Sequence, residues 1–162
     1  MKRTGSDKGF TIIELMVTVG VIAILAAIAI PNFLGLQEKA KRKVMMEVAA
    51  SSKADLHNWM EAALHGQKGV VDVDGDGLLD PAKAHTNLLT VPNSWIQAYA
   101  NKVGYAPLSP WDNTKSLFTV GNPVPPRPGQ IVFSTFNAGK SIKIIAYGKG
   151  GAKLYDDTVS VD

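Results

Sequence analysis

The chain has no cysteine. A thiol redox site and a disulfide-stapled fold are both excluded, so stability outside a cell must come from packing, a metal or assembly. Charge is absent from Leu15 to Ile30, and that stretch holds scarcely a polar group. Net charge is also small once the N-terminus is set aside. Of 17 basic and 14 acidic side chains, three (Lys2, Arg3, Lys8) and one (Asp7) lie in the first nine residues, leaving 14 and 13. The formal +3 therefore gives no case for nucleic-acid binding. Chemistry-bearing groupings are equally scarce. His57 and His65 stand eight residues apart, too far for one shared ion on a helix, and no Ser/His/Asp set stands out. Gly139-Lys140-Ser141 resembles the end of a phosphate-binding loop, but Ser134 stands where the earlier glycine is needed. Nothing points to an enzyme.

What is present begins with an apolar run. It covers 16 residues from Leu15 to Ile30 and continues through Pro31-Asn32-Phe33-Leu34. About 20 helical residues at ~1.5 Å each span roughly 30 Å, one hydrocarbon core. The remainder reads as one small soluble head, in keeping with 162 residues and 46% hydrophobic composition. Lys2, Arg3 and Lys8 keep the polar segment Met1–Gly9 on the cytoplasmic side. A secretory signal places its small-residue cut after the apolar region. Here Ala26-Ala27-Ile28-Ala29 lies inside the run, which continues past it.

Glu14 stands at the start of this apolar region. A carboxylate in hydrocarbon costs on the order of 3 kcal/mol, so it needs a partner or a function. An uncut signal anchor has no use for it. A cut between Gly9 and Phe10 would create a positive amine four residues before Glu14. That amine and the Glu14 of a neighbouring copy would neutralise each other and fix the axial stagger, because a misplaced copy buries two unpaired charges.

Lys8-Gly9-Phe10-Thr11-Ile12-Ile13-Glu14-Leu15 resembles the prepilin peptidase signature of type IV pilins and pseudopilins, with similarity running to about Ala40. The resemblance implies cleavage after Gly9, N-methylation of Phe10, and assembly by a cytoplasmic ATPase with an inner-membrane platform. It implies a homopolymer whose subunits wait as single-pass inner-membrane proteins and end in an extracellular filament, or a periplasmic one for a pseudopilin. Gly20 and Pro31 are weak points for a helix. The family implies that the helix between them can unwind on assembly, while a tolerated kink explains them equally well.

Past Pro31, Phe33, Leu36, Ala40, Val44, Val48, Leu56, Trp59 and Ala63 fall on one helical stripe, expected to pack on a sheet of the same subunit. Gly66 is placed to end the helix, which is expected over about residues 10–65, with 10–34 in the membrane or filament core. Then Asp72-Val73-Asp74-Gly75-Asp76-Gly77-Leu78-Leu79-Asp80 puts carboxylates at positions 1, 3, 5 and 9 with glycine at 6. Hard oxygens converging in a tight loop suit calcium, with Asp72, Asp74, Asp76, Asp80 and the Leu78 carbonyl as ligands. Lys83 at position 12 departs from an EF-hand, and a solvated turn before Asp80-Pro81 is the alternative.

Ser94-Trp95-Ile96-Gln97 fits a capping box for a short helix over about residues 94–102. Six prolines between Pro107 and Pro128 mark a loop region. Strands are expected over 131–134, 141–147 and 152–161, as an antiparallel sheet completing residues 66–162. The fold class expected is therefore α+β: a long N-terminal helix, membrane-spanning in its first half, on a small antiparallel head. The function expected is a type IV pilus subunit, with a type II secretion pseudopilin as the alternative. Ser109-Pro110-Trp111-Asp112-Asn113 faintly resembles a Pro-Trp-Gly-Asn stretch of major pseudopilins, but Asp112 replaces the glycine.

Overall fold

The computed structural model describes residues 9–66 and 87–162. They fall into two units, Met1–Ala40 and Lys41–Asp162. Helix α1, Ile12–Leu64, supplies most of the first unit and the opening of the second. It ends one residue from the expected bound, followed by Gly66 at φ 60°, a left-handed conformation that glycine adopts without a Cβ penalty. Pro31 lies within the helix.

Burial on α1 begins at Met45 and continues through Ala49, Ser52, Leu56, Trp59, Met60, Ala62 and Ala63. The expected stripe agrees at Leu56, Trp59 and Ala63, and Val48 packs half-buried against the same core, but nearer the membrane segment the fully buried positions are turned by one. Val44 is 49% exposed, whereas Met45 is fully buried. Unbranched Met45 fills an irregular gap, and small Ala49 admits close packing, which a purely apolar count does not distinguish from Val44 and Val48. Ser52 enters the core because its hydroxyl donates to the Ala49 carbonyl at 2.8 Å.

The second helix, α2, runs Val91–Val103, three residues earlier than the capping box at Ser94 suggested. The corrected start has a local cause. Pro92 sits in the first turn, where its fixed φ favours entry and its missing donor costs nothing. Asn87 caps the short 3₁₀ turn before it, accepting from the Leu89 amide at 2.9 Å. At the other end Gly104, φ 77°, closes α2 as expected.

Six strands follow: β1 Leu108–Ser109, β2 Asp112–Ser116, β3 Phe118–Val120, β4 Ile131–Phe136, β5 Ser141–Tyr147 and β6 Lys153–Ser160. β1 and β2 form a small hairpin. The main sheet has order β3-β4-β5-β6. β4, β5 and β6 pair antiparallel as expected, but β3 lies parallel to β4, so the sheet is mixed. The prolines hid β3 from the sequence reading, because they cluster in residues 121–130 that carry the chain from β3 to β4. That crossing serves the outer face of the sheet. Val132, Ile145 and Tyr147 form a separate buried cluster there, and the Tyr147 hydroxyl donates to the Pro123 carbonyl at 2.8 Å.

The inner face supplies Ile131, Phe133, Ile142, Ile144, Ala146 and Val159 to the main core, joined by the buried residues of α1 and α2. Trp95 packs edge-on to Phe118 and Phe133, with ring centroids 5.2 and 5.5 Å away. Gly139, at φ 90° in the β4–β5 connection, meets the segment before α2 so closely that a Cβ would stand 2.8 Å from the Leu88 carbonyl carbon and 2.9 Å from the Leu89 nitrogen. Backbone cannot yield as a side-chain tip can. Gly139→Ala is expected to destabilise the head by about 1–3 kcal/mol, seen as a lower urea midpoint with an unchanged m-value.

An ion pair ties α1 to the edge strand. Lys53 Nζ lies 2.7 Å from Asp157 Oδ2, which also accepts from the Tyr155 hydroxyl at 3.2 Å, while Asp157 Oδ1 takes the Thr158 amide at 2.7 Å. The bond from Lys53, then that from the Thr158 amide, hold the Asp157 carboxyl below the ordinary aspartate range. A depressed folded pKa contributes stability above the unfolded value, and that contribution fades as pH falls through the folded one. Asp157→Asn is therefore expected to narrow the stability difference between neutral and strongly acidic pH. The side chains are 41% exposed, so the change is modest. Denaturant midpoints measured across that range check it.

Candidate assembly site

The N-terminal turn of α1 is built from Thr11 and Glu14. Glu14 Oε2 accepts from the Thr11 amide and from the Thr11 hydroxyl, both at 2.9 Å, and the Glu14 amide donates back to Thr11 Oγ1 at 3.3 Å. This is a reciprocal capping box, which satisfies two amides that a helix start leaves without partners. The Thr11-x-x-Glu14 spacing carries that signal in the sequence. The sequence reading singled out Glu14 for its charge and passed over Thr11.

The other polar side chains of the apolar stretch are also held by their own helix. The Thr18 hydroxyl donates to the Leu15 carbonyl at 2.8 Å, and Asn32 Nδ2 donates to the Ile28 carbonyl at 3.3 Å. Such bonds let hydroxyl and amide groups sit in hydrocarbon without an outside partner. Glu14 alone still carries a charge. No ion pair among the described residues reaches it.

An 18-residue window of α1 is apolar enough to cross a membrane, and none of it is buried within the chain. Ile22, Leu25, Ile28 and Phe33 are each more than 60% exposed. A helix with this much apolar surface requires lipid or other protein around it.

Residues 5–30 match the prokaryotic N-terminal methylation motif. Over 143 residues the chain is 30% identical to type II secretion system core protein G of Klebsiella michiganensis, covering 85% of this chain and 88% of that protein. It is 29% identical over 131 residues to the Escherichia coli protein of the same name, covering 75% and 78%. The chain belongs to the type IV pilin and pseudopilin family. Against the type IV major pilin protein PilA of Myxococcus xanthus, this family member is 58% identical over 36 residues, 22% of its own length and 16% of the relative's. No solved structure matches it at a significant level.

Membership gives the N-terminal geometry its chemical setting. Gly9 has open space around it and Phe10 is 86% exposed, so their shared peptide bond is accessible. Cutting it would turn the Phe10 nitrogen into an amine. The capping box uses only Thr11 and Glu14, so all three of its bonds survive the cut. Gly20, likewise in open space, and Pro31 both lie within α1. The leader up to Lys8 and the acidic loop of Asp72, Asp74, Asp76, Leu78 and Asp80 lie outside the described residues. Among the described residues no three His, Asp or Glu side chains gather where a metal could bind.

Proposed function

We propose that this chain is the structural subunit of a type IV pilus: cut after Gly9, held in the inner membrane by α1, and then packed by that helix into an extracellular filament. The observation that supports this reading most is the high identity to a protein of that kind. The 58% match to a type IV major pilin spans 36 residues. Processing by a prepilin peptidase and export by a membrane platform and ATPase follow from the same reading.

The alternative, a type II secretion pseudopilin, has its own support. The matches that span head as well as helix are to core protein G. Electron microscopy of sheared cell surfaces separates the two. Long fibres containing this chain at native expression uphold the pilus. Their absence, with enzymes trapped in the periplasm of a deletion strain, upholds the pseudopilin and sinks the pilus reading. Mass spectrometry showing an N-terminus at Met1 on the exported form would sink both.

Calcium belongs to this proposal. Asp72, Asp74, Asp76 and Asp80 are hard-oxygen donors at alternating positions, and the Leu78 carbonyl adds another. A bound cation would cancel the repulsion of four neighbouring carboxylates and fix the segment that follows α1. Titration of the detergent-solubilised full chain with calcium should release heat and raise the melting temperature. No heat at millimolar calcium, with melting unchanged by chelator, would end the idea.

A further inference from the structure

The cations flanking the apolar run are shared almost evenly between its two ends. Lys2, Arg3 and Lys8 precede it, and Lys39, Lys41, Arg42 and Lys43 follow soon after Leu34. The positive-inside rule sets orientation by an excess of Lys and Arg on the cytoplasmic side. This chain has no such excess, with three cations on the leader side and four on the exported side. A cut after Gly9 would remove the three and leave the four. Cations on the exported flank oppose the expected orientation unless something at that surface neutralises them.

The helix carries these cations to a definite height. α1 continues past Leu34, so Lys39 to Lys43 stand about 7–14 Å further along it at ~1.5 Å per residue. Helical side chains lean toward the helix N-terminus, by as much as one turn of about 5 Å. In α1 that direction points back to the apolar stretch. With Leu34 as the last residue in hydrocarbon, the charged tips reach a headgroup layer about 5–8 Å deep. Lys39, Arg42 and Lys43 are exposed, and Lys41 is half-buried. Glu38 and Glu47 are the only carboxylates between Leu34 and Ala50, so the segment stays positive. Lys43 meets Glu47 at 3.5 Å, but the two side chains are 73% and 63% exposed, and so open a pair holds weakly.

We infer that Lys39, Lys41, Arg42 and Lys43 form a collar that binds the phosphates of anionic phospholipids in the outward-facing leaflet while the subunit waits in the membrane. Charge and height both match that layer. The spacing matches it too. Consecutive helical residues point to different sides, so Lys41, Arg42 and Lys43 cannot close on one small anion. A layer of headgroups surrounding the helix meets all of them. The collar rests on membrane anchoring and is the same for a pilus or a secretion subunit. It adds a lipid partner that sets the depth at which the subunit waits.

The probe is phosphatidylglycerol against phosphatidylcholine, offered in equal amounts to the detergent-solubilised full chain, with retained lipids counted by native mass spectrometry. Lys2→Gln, Arg3→Gln and Lys8→Gln in every sample keep the leader from contributing. The chain with its four collar cations should retain phosphatidylglycerol about tenfold over phosphatidylcholine, as suits two excess charges at a lipid surface. Adding Lys39→Gln, Lys41→Gln, Arg42→Gln and Lys43→Gln should remove most of that preference and leave the melting of the head unchanged. Millimolar inorganic phosphate should displace none of the lipid. Undiminished preference in the four-site variant would overturn the collar, as would a collar-bearing chain without preference. Displacement by inorganic phosphate would make the site one for a free anion and overturn lipid as its partner. Lost filaments with unchanged lipid preference would assign the cations to a contact between copies and overturn it equally. A chain missing from the membrane fraction would instead sink the anchoring on which the collar rests.

Discussion

Glu14→Ala is expected to abolish filaments while leaving cleavage and membrane insertion intact. On the proposed pathway the cut at Gly9 would precede assembly, and the apolar stretch that would insert is untouched. What the substitution removes is the one charge that the helix cannot neutralise by itself. In the assembled state it would leave the neighbour's new amine buried without a partner. Breaking a buried pair from one side costs about 3–5 kcal/mol, a factor of roughly 10²–10⁴ at each subunit contact. The capping box complicates this, because Glu14 Oε2 also holds the Thr11 amide and hydroxyl. Its loss would fray the first turn by about 1 kcal/mol. Glu14→Gln separates the two roles. A glutamine oxygen still accepts from Thr11, so helicity in micelles should stay parental, yet the charge is gone and filament yield should fall as it does for alanine. Sheared-filament yield, circular dichroism and the mass of the mature N-terminus read the three steps. Parental polymerisation of Glu14→Gln would show that capping, and not charge, is what assembly needs.

The parts of this molecule legible in the sequence are those where one physical demand dominates. An unbroken apolar run can only mean lipid or an interior, so the first half of α1 and the oddity of Glu14 were readable directly. Antiparallel β4, β5 and β6 were readable because β-branched runs alternate with glycine turns. The sheet's fourth strand was not. β3 is three residues long and pairs with a strand reached through residues 121–130, so its evidence lies in a tertiary pairing that no local pattern carries. Capping boxes cut both ways. The spacing at Ser94 matched the rule and was overruled by Pro92, while the same spacing at Thr11 was real. The difference lies in context: Thr11 directly precedes the helical stretch, whereas Ser94 already lies three residues inside a helix that proline has started.

Trp95→Ala is expected to collapse the head without releasing the chain from the membrane. Trp95 is 4% exposed and touches three layers at once. Its ring stands edge-on to Phe118 of β3 and Phe133 of β4, at interplanar angles of 85° and 88°, and tilts against Tyr99 one turn along α2. Its indole N–H reaches Asp55 Oδ2 on α1 at 3.4 Å. Truncating a buried tryptophan costs about 3–5 kcal/mol, against a total stability of roughly 5–15 kcal/mol for a domain of ordinary size. A melting temperature lower by about 10–20 °C should follow. Trp95→Phe keeps a ring against Phe118 and Phe133 and gives up only the long bond to Asp55, so about 1 kcal/mol should go with the N–H, beyond any repacking. Asp55→Ala in the Trp95→Phe background should then add little, because the bond they share is already lost. Since the apolar stretch of α1 belongs to the other unit, Trp95→Ala protein should still be inserted and cut after Gly9. It should then be digested rapidly by added protease and be missing from sheared filaments. Normal melting of Trp95→Ala would mean that the aromatic cluster does not hold the three layers together.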